Sequence, residues 1–163
     1  MAELYIRAAT EQDLPALLRV YSAARAFMRK TGNPTQWADG SPKEAVLRAD
    51  IAAGQLWCVC DGARVCGGFA LVAGEDPTYA VIAGAWPNDR PYATLHRVGS
   101  DGSVHGVFAA AVAFAAARYR ELRVDTHADN AVMRHLIAKQ GFCYCGVIHV
   151  ADGTPRFAYH KSV

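Results

Sequence analysis

The run Leu95-His96-Arg97-Val98-Gly99-Ser100-Asp101-Gly102-Ser103-Val104-His105-Gly106-Val107-Phe108 decides the fold. A β-prone stretch from Tyr92 to Val98 enters a polar loop, Gly99 to Ser103. An alanine-rich segment then runs from about Val104 to Arg118. The pattern predicts a strand, a loop and a helix. The first helical turn leaves backbone N–H groups unpaired at the positive end of the helix dipole, and such an end binds phosphates. Glycines let a ligand come close to the backbone. The run lacks GxxxxGK[ST], so a nucleoside-triphosphate loop is not supported. It also lacks GxGxxG, the dinucleotide signature. Spacing alone leaves two readings open: a phosphate cradle or an ordinary glycine-containing loop.

Downstream, Leu122 to Asp125 reads as a strand. Asn130 to Lys139 reads as a helix closed by Gly141. Two late strands, Phe142–Val150 and Arg156–His160, flank a turn at Asp152-Gly153. Upstream, Leu4 to Arg7 is a short strand. Thr10-Glu11-Gln12-Asp13 has capping-box spacing and opens a helix to about Met28. A second helix starts near Ser41-Pro42 and ends at Gly54. Leu56 to Cys60 and Val65 to Val72 form a hairpin about Asp61-Gly62. Ala73 to Pro91 is loop-like, with a short strand at Tyr79 to Ile82. Paired hairpins followed by strand–helix alternation predict an α/β, or α+β layered, structure. Its mixed, mostly antiparallel central sheet is flanked by helices, in one domain spanning 1–163.

Composition narrows the functional classes. The chain has 163 residues, 52% hydrophobic and 20% charged, with a formal charge of +2. That balance excludes intrinsic disorder, and it is too weak to argue for nucleic acid or a membrane surface as partner. No apolar run reaches the ~18 residues of a membrane span. The start, Met1-Ala2-Glu3, lacks a secretory pattern, so a cytoplasmic protein is expected. The 5 cysteines are then expected as reduced thiols. Cys58/Cys60 and Cys143/Cys145 each share one strand face. Zinc sites place ligands in turns two to four residues apart, so buried strand cysteines without metal are expected.

Three further stretches carry a resemblance. Ile6-Arg7-Ala8-Ala9-Thr10-Glu11-Gln12-Asp13-Leu14, the hairpin Asp61 to Phe69, and Leu122 to Asn130 followed by Lys139-Gln140-Gly141-Phe142 occur in a telling order. Together they resemble the GNAT superfamily of acyl-coenzyme A N-acetyltransferases over nearly the whole chain. That family's pyrophosphate loop reads (Arg/Gln)-x-x-Gly-x-(Gly/Ala). Here Ser103-Val104-His105-Gly106-Val107-Phe108 keeps only Gly106. The resemblance implies acetyl-coenzyme A as cosubstrate, with Val98 and Gly99 offering backbone groups to the pantetheine arm. It implies Ser103, Val104, His105, Gly106 and Val107 at the pyrophosphate, and Asn130 at the pantetheine. Asn130 is equally well placed as a helix cap. Where many relatives carry a proton-donating tyrosine, this chain has Ile137. Dimers are common among such proteins, and the oligomeric state is left open between monomer and homodimer.

Amine acetylation needs a neutral nucleophile, hence a base. By strand alternation Thr94, His96 and Val98 share one face, as do Arg123, Asp125 and His127. His96 and Asp125 are therefore expected to flank a cleft where strands splay, with His96 handling the acceptor's proton. His96 also reads as a structural histidine of the sheet, and Asp125 as a partner of Arg97 or Arg123. Tyr144 reads as an acid or as a core tyrosine. His127 reads as a substrate contact or a helix cap. Trp86 is favoured as an acceptor-site wall and Trp37 as packing. The expected reaction moves acetyl to a primary amine of a small-molecule or peptide acceptor by direct attack. The alternative is a weak or inactive acyl-coenzyme A-binding domain of the same fold. A covalent cysteine route ranks below both.

Overall fold

Turn chemistry sets the sheet. Gly62 takes a left-handed φ of 59° and, with Ala63, joins β2 (Leu56–Asp61) to β3 (Arg64–Ala73). The structure, a computed structural model, describes residues 3–163. Met1 and Ala2, on which part of the secretory reading falls, lie outside them. The remaining strands are β1 (Leu4–Ala8), β4 (Ala83–Gly84), β5 (Ala93–Ser100), β6 (Glu121–Thr126), β7 (Cys143–His149) and β8 (Pro155–Ser162). The helices are α1 (Leu14–Lys30), α2 (Glu44–Ala52), α3 (Val107–Ala116) and α4 (Ala131–Lys139). One eight-stranded sheet runs β1-β2-β3-β5-β6-β8-β7-β4. Among the described residues only β5–β6 is parallel. The expected layered fold with a mostly antiparallel sheet is the one observed.

The two sheet faces are covered separately. Phe108, Ala111, Val112 and Ala115 of α3 and Ile137 of α4 pack on Phe69, Leu95, Leu122 and Val124. On the other face Leu14, Leu17 and Tyr21 of α1 and Leu47 of α2 cover Cys58, Cys60 and Ala70. Helix α1 follows a 3₁₀ turn over Glu11–Asp13. The Thr10 N–H donates to the Asp13 carboxylate at 2.8 Å, as the capping-box spacing predicts, and Asp13 also holds Arg7 at 2.7 Å. Among the described residues no helix is long and apolar enough to cross a membrane.

Several boundaries move, for local reasons. Strand β5 runs on to Ser100, because Gly99 and Ser100 pair with Gly68 and Gly67 of β3. Helix α3 begins at Val107 rather than Val104, because Gly106 stands before it at φ 92°, outside helical geometry. The strand expected at Tyr79–Ile82 is absent: Pro77–Tyr79 form a 3₁₀ turn capped by Asp76, whose carboxylate accepts the Thr78 N–H at 2.9 Å. The short strand beside it is Ala83–Gly84, paired with Val147 and Gly146.

Candidate active site

The cleft begins where β5 and β6 part. They pair only at Ala93–Leu122 and Thr94–Arg123. Beyond that, two residues of β5, Arg97 and Val98, oppose the single Phe69 of β3. Such a bulge disrupts the ladder locally and bends the strand. Arg97 takes a φ of 52°, a costly conformation for a residue with a Cβ. It is fixed from two sides. Its guanidinium forks onto Asp50 at 2.7 and 2.9 Å, and its carbonyl accepts the Tyr21 hydroxyl at 2.6 Å. Gly99 makes room for that tyrosine: a Cβ there would lie 2.7 Å from the ring. The bulge also corrects the alternation. Val98 packs with Leu95 against the α3-side core, on the opposite face from His96.

The resulting cavity measures about 310 Å³. Its lining includes His96, Arg97 and Val98 of β5, Asp125 and Thr126 of β6, and Asn130. Val98, Asn130, His96 and Asp125 are thus gathered in one place. His96 Nε2 lies 2.7 Å from Asp76 Oδ2. A carboxylate there accepts, so Nε2 carries a proton, and in the neutral imidazole the lone pair is then on Nδ1. Among the described residues Nδ1 has no hydrogen-bond partner. Burial opposes ionisation of Asp76, but His96 and Thr78 outweigh it and hold the carboxyl at about 2. Asp125 accepts the Tyr79 hydroxyl at 2.5 Å, and not Arg97 or Arg123. Burial pushes the Asp125 carboxyl above its ordinary range, with the Tyr79 bond pulling back. The Thr126 hydroxyl is buried without a partner. Asn130 does cap α4: its oxygen accepts the Met133 N–H at 3.0 Å, while its amide donates to Gln36 at 3.1 Å.

The loop before α3 leaves backbone donors and space open. The first helical bond runs from the Ala110 N–H to the Gly106 carbonyl at 2.9 Å. The N–H groups of Val107, Phe108 and Ala109 therefore have no acceptor within the helix. A Cβ added at Gly106 would meet nothing within 4 Å, so the space beside it is open. Ser103 and His105 are exposed. Asp101 pins the loop, accepting the Ser103 N–H and pairing with Arg19 at 3.0 Å and Arg64 at 2.9 Å.

Other sequence candidates lie elsewhere. Tyr144 is 56% exposed and leans edge-on against Phe157 and Tyr159, outside the cleft. Trp86 covers Arg123 at 3.9 Å and faces a second cavity, of about 680 Å³, rather than the cleft. Trp37 is the tryptophan that walls the cleft, and it also packs edge-on against Tyr21 at 5.8 Å. His127 accepts the Asp129 N–H at 3.0 Å and sits 3.1 Å from the Thr35 hydroxyl, ahead of α4. Ile137 is fully buried in the core. Cys58, Cys60 and Cys66 are buried, and burial pushes Cys58 up to about 12, away from the reactive thiolate. The two CxC pairs stand near opposite ends of the sheet, on β2 and β7. Among the described residues no three acidic, cysteine or histidine side chains group as metal ligands. Sequence reading missed Asp76, Tyr79 and Asp50. Asp76-Pro77-Thr78 does carry the signal of a capped turn, but nothing local names His96 as its partner.

No family model matches the sequence, and no curated protein does. Solved structures do. An acetyltransferase of the GNAT family from Streptococcus agalactiae 2603 is 29% identical, with a TM-score of 0.87 over 98% of this chain and 95% of that one. A GNAT-family acetyltransferase from Listeria monocytogenes 4b F2365 shares the fold at 16% identity and a TM-score of 0.71, covering 99% and 96%. The ribosomal-protein-S18-alanine N-acetyltransferase from Escherichia coli does so at 14% and 0.65, covering 99% and 94%. The parted β5–β6 pair, the open helix start beside it and this chain-long likeness give the chain the fold of the GNAT-family acetyltransferases.

Proposed function

We propose that the chain transfers an acetyl group from acetyl-coenzyme A to a primary amine by direct attack. The observation that carries this reading is the parting of β5 and β6, with His96 and Asp125 on its two sides. The N–H groups of Val107, Phe108 and Ala109, with the loop Ser103–Val107, hold the pyrophosphate. The backbone at Val98 and Gly99 meets the pantetheine arm, and Asn130 adds its amide. Bound there, the cosubstrate supplies acetyl as a thioester. A backbone N–H near Val98 polarises the carbonyl.

Asp125 holds the acceptor amine in the cleft. The amine binds as the cation and gives one proton to solvent; His96 takes the second at Nδ1 as the nitrogen attacks, while Asp76 fixes Nε2–H and stabilises the imidazolium, the logic of a histidine–carboxylate pair. The amine nitrogen forms the new bond to carbon and the carbon–sulfur bond breaks. The imidazolium then returns its proton to the leaving thiolate, a role that Ile137 does not fill. Holding both reactants in one small cleft supplies much of the rate.

The test starts with binding. Acetyl-coenzyme A should raise the melting temperature, and Gly106→Glu should abolish that rise by placing bulk and negative charge at the phosphates. An unchanged rise in a folded variant removes this loop from the site. Free-thiol release over a broad amine panel then tests turnover. Binding without release from any amine would favour the acyl-coenzyme A-sensing domain instead.

A further inference from the structure

Three cations line the cleft: Lys43, Arg97 and Arg156. They come from different elements. Lys43 stands at the head of α2, Arg97 in the bulge of β5, and Arg156 on β8. Arg97 is consumed by its fork onto Asp50. The other two have only neutral partners. Lys43 Nζ donates to the Asp39 carbonyl. Arg156 donates to the Thr154 hydroxyl and the Pro155 carbonyl, both at 2.9 Å. Among the described residues neither has a carboxylate within ion-pair distance. Arg156 is half-buried and close enough for its charge to draw the Asp125 carboxyl downward.

The proposed cosubstrate does not account for these charges. Its phosphates belong at the loop before α3, which contributes none of the three, and the acetyl-pantetheine end is uncharged. The cleft therefore offers the acceptor a carboxylate, Asp125, for a cationic amine, and two uncommitted cations on the same lining. A volume of about 310 Å³, part of which the thioester must share, sits at the low end for small-molecule sites.

We infer that the acceptor is a small amine that also carries an anionic group, of the amino-acid type: the amine lies between His96 and Asp125, and the carboxylate is taken by Arg156 with Lys43. The inference rests on the acetyltransfer reading for the amine's fate, but not for the carboxylate's grip. Guanidinium groups bind carboxylates bidentately, which fixes orientation as well as charge. The half-buried Arg156 is the main anchor, and the exposed Lys43 strengthens the local potential.

The test pairs each α-amino acid of a panel with its amide and with the primary amine lacking the carboxyl carbon. Charge-assisted bonds of this kind are worth about 10- to 100-fold. Wild-type kcat/KM should favour the acids by that margin. Arg156→Gln should raise KM for the acids and bring them level with the amides, without changing the melting-temperature rise given by acetyl-coenzyme A. Lys43→Gln, at an exposed site with no fold to lose, should move KM the same way by less. Equal turnover of acids, amides and plain amines overturns the inference and leaves the acetyltransfer reading intact. A second arm needs no turnover: calorimetry of the same panel against protein saturated with coenzyme A. Carboxylate-dependent binding lost in Arg156→Gln sustains the inference even where no thiol is released, in which case only the acetyltransfer reading falls. Binding that ignores the carboxylate overturns it.

Discussion

At one end of the β5–β6 pair, where Thr94 faces Arg123, the charges are closed in. Arg123 lies 3.9 Å from the rings of both Trp86 and Tyr92 and donates to His160 Nδ1 and the Asn88 carbonyl at 3.1 Å each. His160 sits 3.2 Å from Glu121, which also accepts from Ser162 and Asn88. At the other end, a few residues along the same two strands, Asp76 and Tyr79 hold His96 and Asp125 but a cavity stays open beside them. His96 keeps one ring nitrogen unbonded, and burial raises the Asp125 carboxyl. The residue types are alike at both ends, histidine and carboxylate each time. What differs is strand pairing. Where the ladder holds, neighbouring elements close over the polar groups. Where it parts, space remains for a ligand to complete them.

The sharpest way to break this comparison is His96→Gln. The variant keeps size and polarity but cannot take a proton, and a positioned base contributes ~10²–10⁴-fold to rate. Turnover should fall by at least about 100-fold, while the melting-temperature rise with acetyl-coenzyme A persists. Near-wild-type turnover across pH would return His96 to a structural role. At the closed end the signature should invert. Arg123→Leu removes two ring contacts and strands the Asn88 carbonyl and His160 Nδ1. It should cost about 3 kcal/mol, roughly 6–12 °C in melting temperature for a domain of this size. Turnover measured well below that melt should hold. A fall in turnover with no loss of stability would show the two ends are not separate. The smallest effect is expected from Tyr79→Phe, which keeps the ring and deletes the bond that lowers the Asp125 carboxyl. Its folded pKa, already raised, then rises further. The ionised form that holds a cationic amine is lost at higher pH, so the acid limb of KM for a cationic acceptor moves up by at most about one unit. An unmoved limb would mean that Asp125 does not bind the amine.

The parts legible in sequence were those with local signals. The strand–loop–helix at 95–108, the Asn130 cap and the Thr10–Asp13 box each depend on a few adjacent residues. The start of α3 was read at Val104, three residues early, although Gly106 marks the true one. What could not be read depends on distant partners. The face of Val98 flips because Arg97 bulges toward Asp50, 47 residues earlier. Tyr79 was assigned to a strand by its β-prone neighbours. Its burial against Asp125, 46 residues later, sets it in a turn instead. His96 and Asp125 were gathered by alternation. Asp76 escaped because loop residues carry no period.

The contact between Tyr21 and Gly99 also constrains the paths by which this protein can change. A methyl group at position 99 would run into the ring, and a smaller residue at 21 would leave the Arg97 carbonyl without its hydroxyl. Each residue is thus a poor first mutation and a tolerable second one. Libraries that vary the two sites singly should return only glycine and tyrosine. Libraries that vary both together are where new cleft shapes would be found.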